Sequence, residues 1–314
     1  MCLGRTREDA FVIFLLITAL LWGFSYGINA DIVHFVPPQW MSFFFVLLGA
    51  VMFSPMLFRH DTVGIRVQCM TIGAIQLGLM YLFSQYSYQY LSPGTVAMLS
   101  TTTAIYVPIL NTIFQRTFSV RQFFIALLSL AFTRLAMVID GTEQFPWLGI
   151  LYSQLCNICY VLGQLLYRRL HDRFHMRDSS AMAWFYLGAS IALIPTVAFR
   201  PLPIEILHFH WKHVVGEFLF LGVFCCGLGN YLWNLGSVRV NSAELAICNN
   251  LPILFGVILA IIFFGDPFGG WKQVLGVIGT LGLLLVGALL ERERYSTRVG
   301  KGEGCEKKSV IAPY

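Results

Sequence analysis

Asn230, Trp233 and Asn234 stand at i, i+3 and i+4, so a helix through them carries two amides and an indole on one face. Helical spacing of the same residue types recurs at Tyr81, Gln85, Tyr88 and Gln89, at Asn157, Tyr160 and Gln164, and at Trp22, Ser25, Tyr26 and Asn29. Rings supply contact area and amides fix orientation, so such faces suit non-covalent capture of a solute that is partly flat and partly polar. Two further clusters are the run Ser100-Thr101-Thr102-Thr103 and the pair Asn249-Asn250 followed by Pro252. The candidate binding set is therefore Trp22, Tyr81, Gln85, Thr101, Thr102, Asn157, Tyr160, Asn230, Trp233, Asn249 and Asn250. Competing roles exist for each type: hydroxyls bond back onto helix carbonyls, asparagines join helices, and Tyr88 and Gln89 suit a membrane interface. Glu244 and Arg134 are the candidates for coupling to an ion or proton, with outward snorkelling or pairing to Asp140 as the structural alternative for Arg134. Nothing in the sequence points to a metal or a cofactor. His208, His210 and His213 lack a carboxylate or thiol nearby, and the spacing of Cys156 and Cys159 lacks a second ligand pair. There is no phosphate-binding Gly-rich loop, no HExxH and no Gly-x-Ser-x-Gly, so neither ATP drive nor the common hydrolytic chemistries have support.

The elements that must position these groups are membrane helices. Of 314 residues, 57% are hydrophobic and only 12% charged, with a mean hydropathy of +0.70, where a soluble domain carries roughly a quarter charged residues. A span needs about 20 apolar residues. Breaks at charges, Pro and Gly clusters give ten spans, near 10–29, 40–58, 67–88, 93–114, 120–139, 147–167, 180–199, 214–236, 242–264 and 271–290. With the N-terminus in the cytoplasm, nearly all basic residues fall on the cytoplasmic face, including Arg59, Arg66, Arg168, Arg169 and the tail from Arg292 to Lys308; Arg200, Lys212 and Lys272 fall opposite. The net charge of +5 is thus a topology signal and not a nucleic-acid stripe. Both termini are expected in the cytoplasm. The cysteines lie in or beside apolar segments or at the termini, which is no disulfide framework.

The connection from Phe114 to Gln122 and that from Phe264 to Gln273 share the pattern Phe-x-charge-x-Phe-small, closing with a basic residue and Gln. Each precedes the last helix of a group of five. An odd unit, once duplicated, enters the membrane from the opposite side, which is the inverted-repeat plan of many secondary transporters. The reading is an all-α polytopic protein: a first repeat over 1–140, a second over 141–290 and a basic cytoplasmic tail over 291–314.

Leu20-Leu21-Trp22-Gly23-Phe24-Ser25, Pro37-Pro38, Tyr90-Leu91-Ser92, Gly265-Asp266 and Gln273-Val274-Leu275-Gly276 occur in an order and spacing that resembles the EamA branch of the drug/metabolite transporter superfamily. The likeness runs from about Phe11 to Leu290, with Gln115-Arg116 where the first repeat of the family has Gly-Glu. It implies a secondary transporter in a bacterial inner membrane, working by alternating access on a small metabolite. Amino acids and their derivatives, S-adenosylmethionine among them, are the substrates it implies. Membrane lipids are the expected surroundings, and the glycines of the tenth helix offer a face for a homodimer. The alternatives are a membrane-embedded enzyme or flippase acting on a lipid-linked substrate, or a non-transporting partner subunit. The inner loops are basic and poor in carboxylates, which disfavours the enzyme.

Overall fold

Helix α1, Cys2–Ile32, is a single rod whose apolar stretch, Phe11–Ile32, has a mean hydropathy of 2.1. It stops because Val36 precedes Pro37, which disfavours helical backbone. Pro37 then caps α2, Pro38–Phe53, with Pro38 in the first turn, where its missing N–H costs nothing. The computed structural model describes residues 2–58, 62–115, 146–174, 176–201, 204–239, 242–263, 265, 268–279, 281–283 and 286, with helical positions scattered between 120 and 132. No strand occurs among these residues.

Helix α3 runs over Val63–Ser87, with a π-helical stretch at Ala74–Leu79. It starts a turn earlier than the hydropathy break predicts because Arg66 is accommodated inside it, its guanidinium 5.0 Å over the Trp184 ring. Helix α4 spans 93–115. The Ser92 side chain accepts the Thr95 N–H at 3.3 Å, and Pro93 follows in the first turn. The stretch Ser100–Thr102 tightens into a 3₁₀ turn. There the hydroxyls of Ser100, Thr101, Thr102 and Thr103 point back to carbonyls at 2.8 to 3.0 Å and disturb the i→i−4 ladder.

Helix α5, Trp147–Phe174, extends past the predicted end through Arg168 and Arg169, with His171 and Arg173 in its last turn, where cations favour the carbonyl end. Helix α6 is Asp178–Val197. Helix α7 covers 204–237 and contains a second π-helical stretch, Phe220–Gly229. It begins ten residues before the predicted start, so the segment holding His208, His210 and His213 is helical and not a loop. Helix α8 is Ser242–Phe263 and carries Pro252.

Six described helices are long and apolar enough to cross a membrane; α4 and α8 fall on two more of the expected spans. The expected fifth and tenth spans lie largely outside the described residues, so the described part does not reach the predicted count of ten. The start of the last one is helical from 270, where Gln273 accepts the Gly269 N–H at 2.9 Å.

The helices pack in exchanged pairs: α1 on α8 and α4 on α5, α3 on α6 and α2 on α7, α3 on α5 and α1 on α7, with α2 and α6 in contact. The α3–α6 seam brings backbone against backbone. A methyl group on Gly73 would overlap the Phe185 backbone, and one on Gly188 the Met70 backbone, so only glycine permits this approach. The main buried cluster lies beside this seam and includes Phe45, Leu77, Met182, Phe185 and Tyr186.

Candidate functional site

Four of the polar faces read from the sequence converge on one cavity of about 130 Å³. Helix α1 contributes Trp22, Ser25, Tyr26 and Asn29, and α3 contributes Met80, Tyr81, Ser84, Ser87 and Tyr88. Helix α4 supplies Val96, Ser100 and Thr103; α5 supplies Ser153, Cys156, Asn157 and Tyr160. Asn230 of α7 and Pro252 and Ile253 of α8 complete the wall. Every one of these side chains is uncharged.

Buried amides need partners, and those around the cavity are held in chains of hydrogen bonds. Gln85 Nε2 donates to Asn29 Oδ1 at 2.9 Å, and Asn29 Nδ2 donates to the Ser25 carbonyl at 2.7 Å. Asn157 Nδ2 donates to the Leu99 carbonyl at 3.0 Å and to Thr102 Oγ1 at 2.9 Å. The Thr102 hydroxyl lies 2.7 Å from Gln154 Oε1, which also receives the Tyr106 hydroxyl at 2.9 Å. Across the cavity the Tyr26 hydroxyl meets Ser100 Oγ at 3.2 Å and ties α1 to α4. Asn230 Nδ2 donates to Tyr81 Oη and to the Cys226 carbonyl, both at 2.9 Å. The aromatic part is a cluster around Trp22. Its indole N–H reaches the Cys225 carbonyl at 3.2 Å, with the Trp233 ring at 5.1 Å and the Tyr160 ring at 6.1 Å between centroids.

Five of the sequence candidates line the cavity: Trp22, Tyr81, Asn157, Tyr160 and Asn230. Gln85 and Trp233 stand behind the wall, at 0% and 1% exposure, bracing Asn29 and Trp22 respectively. Thr101 and Thr102 do not line the described cavity. Four consecutive residues cannot share one helical face, and it is Ser100 and Thr103, three apart, that face the cavity. Thr102 instead supports Asn157, and the Thr101 hydroxyl bonds the Met98 carbonyl at 2.8 Å. Asn249, Asn250 and Glu244 lie on α8, but their side chains fall outside the described residues, as does Arg134. Tyr26, Asn29 and Ser25 belong to a stripe whose spacing was readable. Ser84 stands three residues after Tyr81 and four before Tyr88, and Ser153, Cys156, Asn157 and Tyr160 stand at i, i+3, i+4 and i+7, so these small residues continue two of the stripes and the same spacing finds them. Cys156 is a free thiol in the wall, and no group of three metal-ligating residues occurs among the described ones.

A cluster of charged groups lies at the other end of the helices. Asp178, at the start of α6, is 5% exposed. It accepts the Tyr167 hydroxyl of α5, binds Arg239 Nη2 at 2.6 Å and has His171 Nε2 at 3.7 Å. Arg239, just past α7, also donates to the Leu235 carbonyl at 2.7 Å and lies 5.4 Å over the Phe11 ring of α1. The cluster thus closes the end of the bundle where α5 and α7 finish and α1 and α6 begin. The cavity lies toward the opposite end, where α1 and α3 finish and α4 and α5 begin.

Comparison with known proteins fits this arrangement. The EamA-like transporter family model matches residues 10–138 and again 147–288. The biotin transporter of Salmonella typhimurium is 32% identical over 258 residues, covering 78% of this chain and 82% of its own length. The biotin transporter of Escherichia coli K12 is 32% identical over 260 residues, with the same coverage. A solved crystal structure at 16% identity superposes with a TM-score of 0.66 over 91% of this chain and 99% of its own, so the helical fold is shared. An uncharged cavity between apolar helices, in a chain whose two parts each match that model, makes the conclusion plain: this integral membrane protein belongs to the EamA-like transporter family, and it is a small-metabolite transporter, not an enzyme.

Proposed function

We propose that the chain carries biotin, or a cyclic-urea carboxylate of closely similar shape, by alternating access around the cavity between α1, α3, α4 and α5. The observation that carries this reading is the chemistry of the wall: five aromatic side chains, three asparagines and a set of hydroxyls, with no charge among the described lining residues. Biotin presents a neutral fused bicycle whose ureido group both donates and accepts, on a short tail ending in one carboxylate. A cavity of about 130 Å³ is close to the size of one that holds a benzene ring in another protein, about 150 Å³, so it suits the ring head while the carboxylate stays in water. The amino-acid expectation fits this wall poorly. A zwitterion, or S-adenosylmethionine with its sulfonium, brings several full charges, and burying each without a charged partner is costly. The names of the relatives from Salmonella typhimurium and Escherichia coli point the same way.

Competition against labelled biotin uptake in proteoliposomes tests the substrate class. Desthiobiotin keeps the cyclic urea, and biotin methyl ester keeps the ring while losing the charge; both are expected to inhibit within about tenfold of biotin. Amino acids and S-adenosylmethionine are expected to leave uptake unchanged. Strong inhibition by those zwitterions, with none by desthiobiotin, would return the substrate to the amino-acid class. A second expectation concerns the aromatic cluster. Trp22→Ala opens a void beneath the cavity and removes a ring contact, so KM rises about tenfold, whereas Trp22→Phe recovers most of the loss. Equal kinetics in both variants would place the solute elsewhere.

Two inverted repeats, over 1–140 and 141–290, supply the alternating motion in this reading. Its support is the double family match, the exchanged helix pairs and the two π-helical stretches. The latter end just before Met80-Tyr81-Leu82-Phe83 in α3 and Asn230-Tyr231-Leu232-Trp233 in α7. Both termini and the tail 291–314 are then cytoplasmic, in a bacterial inner membrane, and the Asp178 cluster closes the cytoplasmic side. Glu244 and Arg134 remain the candidates for ion or proton coupling, and the tenth helix for self-association.

A further inference from the structure

Asn230 is 1% exposed and lines the cavity at the point where the π-helical stretch of α7 returns to α-helix. Its orientation is fixed by chemistry. The Cys226 backbone oxygen can only accept, so the group 2.9 Å from it must be the amide nitrogen. The same nitrogen reaches Tyr81 Oη at 2.9 Å, which uses both of its hydrogens. The Asn230 Oδ1 is left buried with no hydrogen-bond partner in the protein. Asn29, the matching amide on α1, differs: its Oδ1 already receives Gln85 Nε2. A buried amide oxygen without a donor is unfavourable, and a fixed acceptor beside a solute cavity is complementary to an N–H that arrives with the solute.

We propose that Asn230 Oδ1 accepts a hydrogen bond from a ring N–H of the transported cyclic urea and so discriminates a free N–H from a substituted one. The inference rests on the biotin reading and adds to it the residue that sets specificity. Methylating the ring nitrogen removes the donor and places carbon against the oxygen. A site built around that bond loses far more from such a change than an apolar pocket loses from one methyl group.

The test is inhibition of labelled biotin uptake by biotin and by its two ring N-methyl isomers, in proteoliposomes of the whole 314-residue chain. In the wild type, at least one isomer is expected to inhibit about 100-fold more weakly than biotin. In Asn230→Ala this ratio is expected to fall to about threefold, whatever the amount of protein inserted, because both ligands are compared on the same preparation. Asn230→Ser serves in the same comparison if the alanine variant does not accumulate. A wild-type ratio below about threefold for both isomers overturns the proposal without any variant. Retention of the wild-type ratio in Asn230→Ala or Asn230→Ser also overturns it and assigns the N–H to another acceptor. Absence of biotin flux in the wild type overturns the substrate reading itself, an outcome distinct from the other two.

Discussion

Gly188→Leu is expected to leave almost no folded protein in the membrane. A side chain at this position meets the Met70 backbone, while Gly73 on the facing helix sits against the Phe185 backbone, so α3 and α6 touch along two reciprocal contacts. A flexible neighbour can rotate away from an added group; a backbone cannot, and the helices must separate over their length. Overpacking usually costs 1–3 kcal/mol, and separation of a backbone seam places this case at about 3 kcal/mol or more. Gly73→Leu should behave in the same way. Gly64 and Gly216 have nothing within 4 Å of an added methyl group, so leucine there is expected to be tolerated. Membrane abundance and the melting temperature in detergent decide the matter. Wild-type values for Gly188→Leu would show that the seam is not formed as described.

The second large effect is expected at Asp178 and Arg239, and it is asymmetric. The Asp178 carboxylate is 5% exposed, whereas Arg239 is 30% exposed. Arg239→Ala leaves a buried carboxylate with the Tyr167 hydroxyl as donor and His171 at 3.7 Å, and breaking a buried pair in that direction costs about 3 kcal/mol, the low end of the usual range. Asp178→Ala leaves a guanidinium that reaches solvent and still donates to the Leu235 carbonyl, so its cost is smaller, about 2 kcal/mol after screening. The double variant should fall short of the sum by about 1–3 kcal/mol, which is the coupling between the two side chains. Thermal unfolding of the four proteins measures this. Equal losses in the single variants, adding without coupling, would mean that the pair does not hold the bundle end.

The polar faces were legible because a 3.6-residue period leaves a readable signature. Trp22, Tyr81, Asn157, Tyr160 and Asn230 stand out by their spacing, and they line one cavity. Ser100 and Thr103 line the cavity in place of Thr101 and Thr102 because a run of four hydroxyl residues has no phase of its own, and the 3₁₀ turn there changes the angle between successive side chains. Helix ends were misjudged where a cation found an unexpected partner, as Arg66 does on Trp184. The π-helical stretches of α3 and α7 leave no trace in hydropathy, although the second sets Asn230 beside the Cys226 carbonyl. Substrate class was the least legible. Amides and rings in a sequence are compatible with many solutes, and the absence of a charge among the described lining residues, on which the biotin proposal rests, emerges only once the helices are assembled.

The central claim is most directly tested by flux: purified protein, shown to be folded by its melting transition, reconstituted into liposomes with labelled biotin outside. The account predicts saturable uptake that excess unlabelled biotin suppresses and that S-adenosylmethionine does not. Uptake equal to that of protein-free liposomes would contradict it.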